Sequence, residues 1–432
     1  MSRRVVISAV SVISPIGRGY DEFATALKQG ASGGGPVSLF DASTFPTRIA
    51  AEVAGFDPEL PLRRLLESER GSYDAEISED RKTALGLAAA WDLVDQVGAL
   101  KGDVALHLGT GLSSASVREL EADLVPFTGG DGSFDDRAYG AQCLASSSTS
   151  PWRHLTGEAN RLMMSALGVS GPSSSSFAAC AASTHAIGRA FRDVAAGRVD
   201  RAVAGGMDSM VHPFGMISFM RLGALSTANE DPRRASRPFD RDRDGFLLGE
   251  GGVLLLLETQ DAAAARGARP LVEVLGYGTS MDAHAVTAPH PEGRGAYLAM
   301  QRAVRDAGLS TADVGYVNAH GTGTPLNDGT ESRAVRDLWA DQGHAPPPMS
   351  STKSMTGHLI AAAGALEAVA CVAALDRGFL PPSINIENLD PVCEVPIVDA
   401  ATGPDADLRI AMTNSFGFGG QNGSLILRRW EK

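Results

Sequence analysis

The chain has few cysteines, and their spacing argues against two common kinds of site. Its 432 residues include only four cysteines, at positions 143, 180, 371 and 393. They form no C-x-x-C pair and no short cluster with histidine, which argues against a structural zinc site and against a disulfide framework. We therefore expect no metal and a reducing compartment, the cytoplasm.

Long apolar runs and an excess of basic residues are also missing. No segment approaches the roughly 18 unbroken apolar residues of a membrane span, and the longest candidate, GGVLLLLE, has the length of a strand. The N-terminal MSRRVVISAVSVISPIG resembles a signal peptide, but early Ser, Pro and Gly make it more typical of an opening β-strand. A net charge of −13 argues against a nucleic-acid partner. We expect neither membrane nor nucleic acid as a partner.

What the chain does have is a regular alternation of predicted elements. Its length exceeds the ~100–200 residues of a usual single domain. Strand-like runs such as DVALHLGTG alternate with Ala-rich helical stretches such as HAIGRAFRDVAAG, and the rhythm returns later in VGYVNAHGTG and HLIAAAGALEAVACVAALDRG. The pattern predicts an α/β protein with an internal duplication, its halves covering 1–260 and 261–432. In each half a later helix opens with a candidate reactive residue, Cys180 or His358.

Cys180 stands out because of its neighbours in SSSSFAACAASTH. The pattern places it between a small-residue strand and an Ala-rich helix that ends near Gly197. A thiol at a helix N-terminus meets unpaired backbone N–H groups and the positive end of the helix dipole, which favour the thiolate. The surrounding alanines leave room for a substrate. A buried cysteine acting as a small apolar residue is the alternative, and Cys180 alone does not decide between the two.

Two of the nine histidines stand in a comparable context. His320 ends the apolar run VGYVNA and begins GTGTP, where glycines allow a ligand to come close. His358 closes SSTKSMTGH and precedes the helix LIAAAGALEAV. The remaining histidines are interpreted as structural or solvent-facing.

Four motifs in order, AACAAS, VNAHGTGTP, SSTKSMTGHLIAAAGALE and NSFGFGG, resemble those of the β-ketoacyl-acyl carrier protein synthases, most of all the synthase II type. The resemblance covers essentially the whole chain, and all four motifs at matching separations are highly specific. It implies a thiolase fold, a duplicated five-layer α/β/α/β/α arrangement that is usually a dimer. It also implies decarboxylative Claisen condensation without a cofactor, on substrates carried by the phosphopantetheine of an acyl carrier protein.

The resemblance implies a division of roles within the motifs. Cys180 would take an acyl group from a thioester. His320 and His358 would donate Nε–H groups to the thioester carbonyl of a malonyl extender and stabilise the enolate left by CO₂. The backbone N–H groups of Cys180 and Phe418 would form an oxyanion hole, and the Phe418 side chain would gate the site.

Other residues receive supporting or substrate-binding roles from the same resemblance. Lys353 would pair with Glu367 as an orienting ion pair, because a lone buried lysine is costly without a carboxylate. The remaining expectations are support from Asp328 and Glu331, contact with the phosphopantetheine arm by Thr322 and Thr324, and lining of the substrate pocket by Leu112 and Phe416.

Three other classes of protein are considered, and a different feature of the sequence argues against each. A degradative thiolase needs a second cysteine near the C-terminus, where NSFGFGG stands. A synthase III type would carry His and Asn where this chain has two histidines. A chain-length-factor subunit, a binding partner without enzymatic activity, would lack Cys180.

The segment Ala145–Ser170 departs from housekeeping synthases in a region that the family uses for the dimer interface and the pocket end. Fatty acid elongation and a polyketide or polyene pathway therefore both stay open, as do a homodimer and a heterodimer with a chain-length factor.

Overall fold

The computed structural model describes residues 3–68, 80–111, 117–146, 155–399 and 401–431. The strands are β1 (Val5–Ser14), β2 (Gly17–Arg18), β3 (Gly35–Pro36), β4 (Ile49–Ala50), β5 (Ala105–Thr110), β6 (Ser173–Ser176), β7 (Arg201–Ser209), β8 (Glu250–Thr259), β9 (Val272–Met281), β10 (Tyr316–Asn318), β11 (Met349–Ser350), β12 (Ile410–Gly417) and β13 (Gln421–Arg429). The helices are α1 (Tyr20–Gln29), α2 (Glu59–Glu67), α3 (Arg81–Val97), α4 (Val117–Leu124), α5 (Asp136–Ser146), α6 (Thr156–Leu167), α7 (Ala182–Ala195), α8 (Pro213–Arg221), α9 (Pro232–Ala235), α10 (Gln260–Ala265), α11 (Arg294–Asp306), α12 (Asn327–Asp341), α13 (Lys353–Thr356) and α14 (Ala363–Arg377).

The strand order repeats between the two halves of the chain. The main sheet runs β11-β10-β12-β13-β9-β1-β8-β7-β5-β6, with β2 paired beside β1. Numbered within its own half, each set of five strands has the spatial order 3-2-4-5-1. The first three strands in this order are mutually parallel, and the last two pairings are antiparallel. The two sets meet where β1 pairs antiparallel with β9. The internal duplication predicted from the sequence is confirmed at the level of topology.

Helices pack on the outer face of each five-strand set and between the two sets. Helix α3 packs on β1, β7 and β8, and α11 packs on β9 and β13, forming the two outer layers. Helices α7 and α14 contact each other and strands of both halves, so they form the central layer. The layers are therefore α/β/α/β/α, as expected for the thiolase fold.

The central helix α14 can be buried because its sequence offers few polar atoms to desolvate. All residues from Ala363 to Leu375 are buried, and most are alanine, leucine or valine. A helix that is apolar on every side belongs inside a protein. Gly364 lets it approach α7 closely, because a Cβ there would lie 2.0 Å from Oγ1 of Thr184.

The repeat extends to individual residues before these two helices, and it corrects one expectation. Each helix follows a one-turn 3-10 helix, Ala179–Ala181 or Ile360–Ala362, whose first residue has a positive φ, 45° at Ala179 and 46° at Ile360. Cys180 therefore corresponds to Ala361, whereas His358 lies just before the second turn. Pairing Cys180 with His358 as equivalent helix-opening residues was wrong, because the 3-10 turn stands between His358 and α14.

The boundary between the two halves lies between the end of β8 at Thr259 and the start of β9 at Val272. The division into separate units at 260 stays a prediction. Among the described residues, no helix combines the length and the apolar character that crossing a membrane requires.

Candidate active site

A cavity of about 350 Å³ opens onto residues from both halves. Cys180 contributes from the first half, and His320 and His358 contribute from the second. The sulfur of Cys180 and ring nitrogens of both histidines all lie within 4.8 Å of one another. The three residues singled out from the sequence therefore share one site, at a distance that a single thioester can span.

Cys180 is a buried thiol rather than an exposed one. It sits in the 3-10 turn before α7, with 5% of its surface exposed. Burial raises the pKa of Cys180 to about 12, although the charge of Lys353 and a hydrogen bond from the Phe418 N–H oppose this. The expectation of a resting thiolate is thus not supported. Desolvation outweighs the nearby positive charge and the N–H donor that favour the thiolate.

His358 has one ring nitrogen fixed by the backbone. The Ile360 N–H donates to Nδ1 of His358 over 3.2 Å, so in the neutral ring the proton sits on Nε2. That Nε2 lies 3.1 Å from the sulfur of Cys180. The ring of Phe246 packs edge-on against the imidazole, with centroids 5.0 Å apart. Burial, followed by the charge of Lys353, holds the pKa of His358 well below its usual value. His358 is a neutral hydrogen-bond donor facing the cavity.

His320 is fixed in the same sense by a different partner. The ammonium of Lys353 lies 3.3 Å from Nδ1 of His320 and donates to its carbonyl oxygen over 2.6 Å. An ammonium can only donate, so the ring proton of neutral His320 is also on Nε2. Burial, then the charges of Lys353 and His358, keep the pKa of His320 well below its usual value. Lys353 is itself paired with Glu367, as the resemblance implied.

The turn Gly417–Gly420 brings its backbone against the nucleophile. A Cβ at Gly417 would lie 2.7 Å from the carbonyl oxygen of Ala178 and 3.2 Å from the backbone nitrogen of Cys180, so only glycine fits without a shift. The next residue, Phe418, directs its N–H at the thiol. Its half-buried ring stacks on Phe219 with centroids 6.4 Å apart. The Phe418 N–H is therefore placed as one donor of an oxyanion hole, and the contribution of the Cys180 N–H stays a prediction.

Two carboxylates hold the loop that carries His320. Glu331 accepts hydrogen bonds from the backbone N–H groups of His320 at 2.9 Å and Gly321 at 2.8 Å. Asp328 accepts the N–H of Gly323 at 3.1 Å. Both are buried, and burial raises the pKa of Glu331 to about 7. The supporting position predicted for both residues agrees with these contacts.

The substrate-binding predictions have different outcomes. Thr322, Thr324 and Phe416 all line the cavity, and the two threonine hydroxyls lie 2.9 Å apart. Leu112 lies outside the described residues. The sequence analysis did not single out Phe246, which stands before β8 in the stretch RPFDRDRDGFLLGEGG. An aromatic residue between a charged run and a buried strand was the available signal.

The Cys180, His320 and His358 trio also has to be tested as a metal centre. Thiolate and imidazole are good zinc ligands, but a metal at this point would need the lone pairs of both Nε2 atoms. Those atoms carry the ring protons, because Nδ1 of His358 accepts the Ile360 N–H and Nδ1 of His320 faces Lys353. The donor set therefore fits hydrogen bonding to a substrate better than metal binding.

The chain is similar to known proteins over most of its length. Residues 2–262 match the β-ketoacyl synthase N-terminal domain, and residues 271–387 match the β-ketoacyl synthase C-terminal domain. The 3-oxoacyl-[acyl-carrier-protein] synthase 2 of Synechocystis is 37% identical, over 99% of both chains.

Two solved structures are similar over the whole length. One, titled the ishigamide ketosynthase/chain length factor, has a TM-score of 0.81 and 35% identity, covering 100% of both chains. The other is a type II polyketide acyl carrier protein in complex with its ketosynthase bound to a hexaketide. It has a TM-score of 0.78 and 27% identity, also over 100% of both chains.

Proposed function

The chain belongs to the β-ketoacyl synthase family, and from this premise we propose that Cys180, His320 and His358 together carry out decarboxylative condensation on carrier-bound thioesters. Membership makes the chain an acyltransferase that extends acyl groups. The assignment of each chemical step to a residue is our proposal. The observation that carries it is the convergence of one thiol and two Nε2–H donors on one cavity.

The first step loads the acyl group on Cys180. The sulfur attacks the acyl thioester carbonyl, a carbon–sulfur bond forms, and the carrier's thiol leaves with a proton. The high pKa of Cys180 means that the thiol proton departs as the bond forms. His358 is a poor base for that proton, because its Nε2 already bears one. The proton therefore passes to the leaving sulfur, directly or through water.

The second step generates the carbon nucleophile. The malonyl thioester oxygen is proposed to lie between the Nε2–H groups of His320 and His358, whose rings are 5.4 Å apart and nearly perpendicular. When the carboxylate leaves as CO₂, its bonding pair moves into the enolate and charge builds on that oxygen. Fixed neutral donors stabilise this charge without reorganising.

The third step joins the two groups. The enolate carbon attacks the acyl-Cys180 carbonyl, and the resulting oxyanion accepts hydrogen bonds from the N–H groups of Cys180 and Phe418. The carbon–sulfur bond then breaks, the sulfur takes up a proton, and the β-ketoacyl product remains on its carrier. One proton is consumed and one CO₂ released in each cycle.

The partners follow from the chemistry and from the relatives. We propose an acyl carrier protein as the substrate carrier, supported by the carrier complex among the similar ketosynthases. We also propose a dimer, with a second copy or a chain-length-factor-like subunit. The similarity to the type II polyketide ketosynthase supports polyketide or polyene synthesis, and the 37% identity to the Synechocystis 3-oxoacyl-[acyl-carrier-protein] synthase 2 supports fatty acid elongation as the other candidate. Thr322 and Thr324 are proposed to contact the pantetheine arm. No cofactor is needed, and the proposed location is the cytoplasm.

Acyl transfer to Cys180 is the decisive test. Purified protein, with and without a partner subunit, is mixed with acyl carrier proteins bearing a range of chains and digested for mass spectrometry. We expect an acyl adduct on the peptide containing Cys180, absent from Cys180→Ala and retained in Cys393→Ala, whose cysteine lies outside the cavity. No adduct with any chain would favour a binding-partner role.

A further inference from the structure

We propose that Arg243 is a positioning residue that fixes the Thr322–Pro325 loop, and with it the pantetheine arm of the substrate. The inference rests on the proposed function and adds a residue to which no role has been assigned. Arg243 precedes β8 in the chain, and its side chain is only 4% exposed. A guanidinium buried this deeply needs several partners, and those partners show what it holds.

Most of the hydrogen bonds of Arg243 go to backbone carbonyls. Its Nε donates to the Thr324 oxygen at 3.1 Å, and Nη2 donates to the Pro325 oxygen at 3.2 Å. Nη1 donates to the Asp240 oxygen at 2.8 Å and to the carboxylate of Asp390 at 2.5 Å. One rigid group therefore ties the loop to two other segments of the chain.

Asp328 binds the same loop through a backbone N–H group, whereas Arg243 binds it through backbone carbonyls. Its carboxylate accepts the Gly323 N–H and also the Phe239 N–H, and it lies 3.6 Å from Nε of Arg243. The loop is thus hydrogen-bonded at the Gly323 N–H by the carboxylate of Asp328 and at two carbonyls by the guanidinium of Arg243. These hydrogen bonds are needed to fix one conformation of the loop. Gly321 and Gly323 both have positive φ, 32° and 79°, and glycine gives the backbone wide conformational freedom.

The loop matters because two of its residues belong to the cavity wall. Thr322 and Thr324 line the cavity and hydrogen-bond each other over 2.9 Å. Moving the carbonyls of residues 324 and 325 would move both hydroxyls away from the path to Cys180. Lysine cannot replace arginine here, since one ammonium cannot reproduce the planar fork that reaches two successive carbonyls and Asp390 together.

The test compares a reagent with a pantetheine arm and one without. Arg243→Lys keeps the positive charge beside Asp328, and its folding is checked by thermal unfolding. Modification of Cys180 is followed by mass spectrometry with an acyl-pantetheine thioester and, separately, with iodoacetamide. We expect the KM for acyl-pantetheine to rise about tenfold, equivalent to ~1.4 kcal/mol, with the iodoacetamide rate unchanged. Arg241→Lys is the matched control, because Arg241 is exposed and outside the cavity.

A double-variant cycle separates positioning from a general structural effect. If Arg243 acts through the threonine hydroxyls, Thr322→Val should raise the same KM, and adding Arg243→Lys should raise it little further. Equal losses with both reagents, no loss with either, or additive losses in the double variant would each overturn the proposal. A wild-type protein that iodoacetamide modifies but no acyl thioester loads would contradict the proposed function itself.

Discussion

Replacing His358 tests how the site stabilises the enolate. The Ile360 N–H fixes the ring so that Nε2–H faces the cavity. Loss of one such donor typically costs ~10²–10³-fold in rate. We expect His358→Ala to slow CO₂ release from a labelled malonyl carrier by about this factor. His358→Gln should recover part of the loss, since its amide can still donate.

The pH dependence of the same assay checks the protonation state. The pKa of both His320 and His358 is depressed, so each ring stays neutral as the pH falls through its usual value of about 6.5. CO₂ release should therefore not fall as the pH rises from about 6 to 8. Any pH dependence that comes from Glu331, whose pKa burial raises to about 7, has the opposite sign, because protonation at lower pH weakens its hold on the His320 N–H. His344→Gln is the control, since that ring pairs with Thr311 outside the cavity. A rate that falls as pH rises through about 6.5 would show that imidazolium is the donor and would refute the reasoning.

Two further predictions concern the nucleophile and its turn. Because burial raises the pKa of Cys180 to about 12, alkylation by iodoacetamide should increase up to about pH 9 without a plateau; a plateau near neutral pH would mean that the helix N-terminus prevails. Gly417→Ala should reduce the rate of Cys180 acylation by at least about tenfold, because the added Cβ would meet the Ala178 oxygen at 2.7 Å; full activity, measured by the same mass spectrometry, would contradict the close approach.

The sequence predicted that Cys180, His320 and His358 share one site because these residues stand in short motifs with strong local character. The glycines beside His320 and the alanines beside Cys180 indicate backbone that a ligand or substrate can approach closely. The ion pair between Lys353 and Glu367 could be predicted for a similar reason, since a buried lysine needs a carboxylate. The duplication was visible in the alternation of strands and helices, and the repeated strand order confirms it.

What the sequence could not predict depends on contacts between distant segments. The expectation of a thiolate at Cys180 took account of the helix N-terminus alone. The burial that raises the pKa of the thiol depends on the whole fold. Arg243 stands in a run of alternating charges, DRDRD, that is typical of a solvated surface, yet Asp240 and Arg243 in this run are buried. Likewise, the backbone N–H of Ile360 that fixes His358 leaves no trace in side-chain identity.

The repeat shows how the two corresponding turns of the doubled fold differ, so that the proposed nucleophile stands at one of them. The same 3-10 turn occurs twice, and Ala361 occupies the position that corresponds to Cys180. At that second turn the carboxylate of Asp208 accepts the Ala361 N–H over 3.0 Å, so the N–H that would match an oxyanion donor already has an anionic partner. At the first turn the Cys180 N–H lies beside Gly417, at the wall of the cavity. The second half instead contributes His320 and His358 to the cavity, so the proposed chemistry draws on both halves.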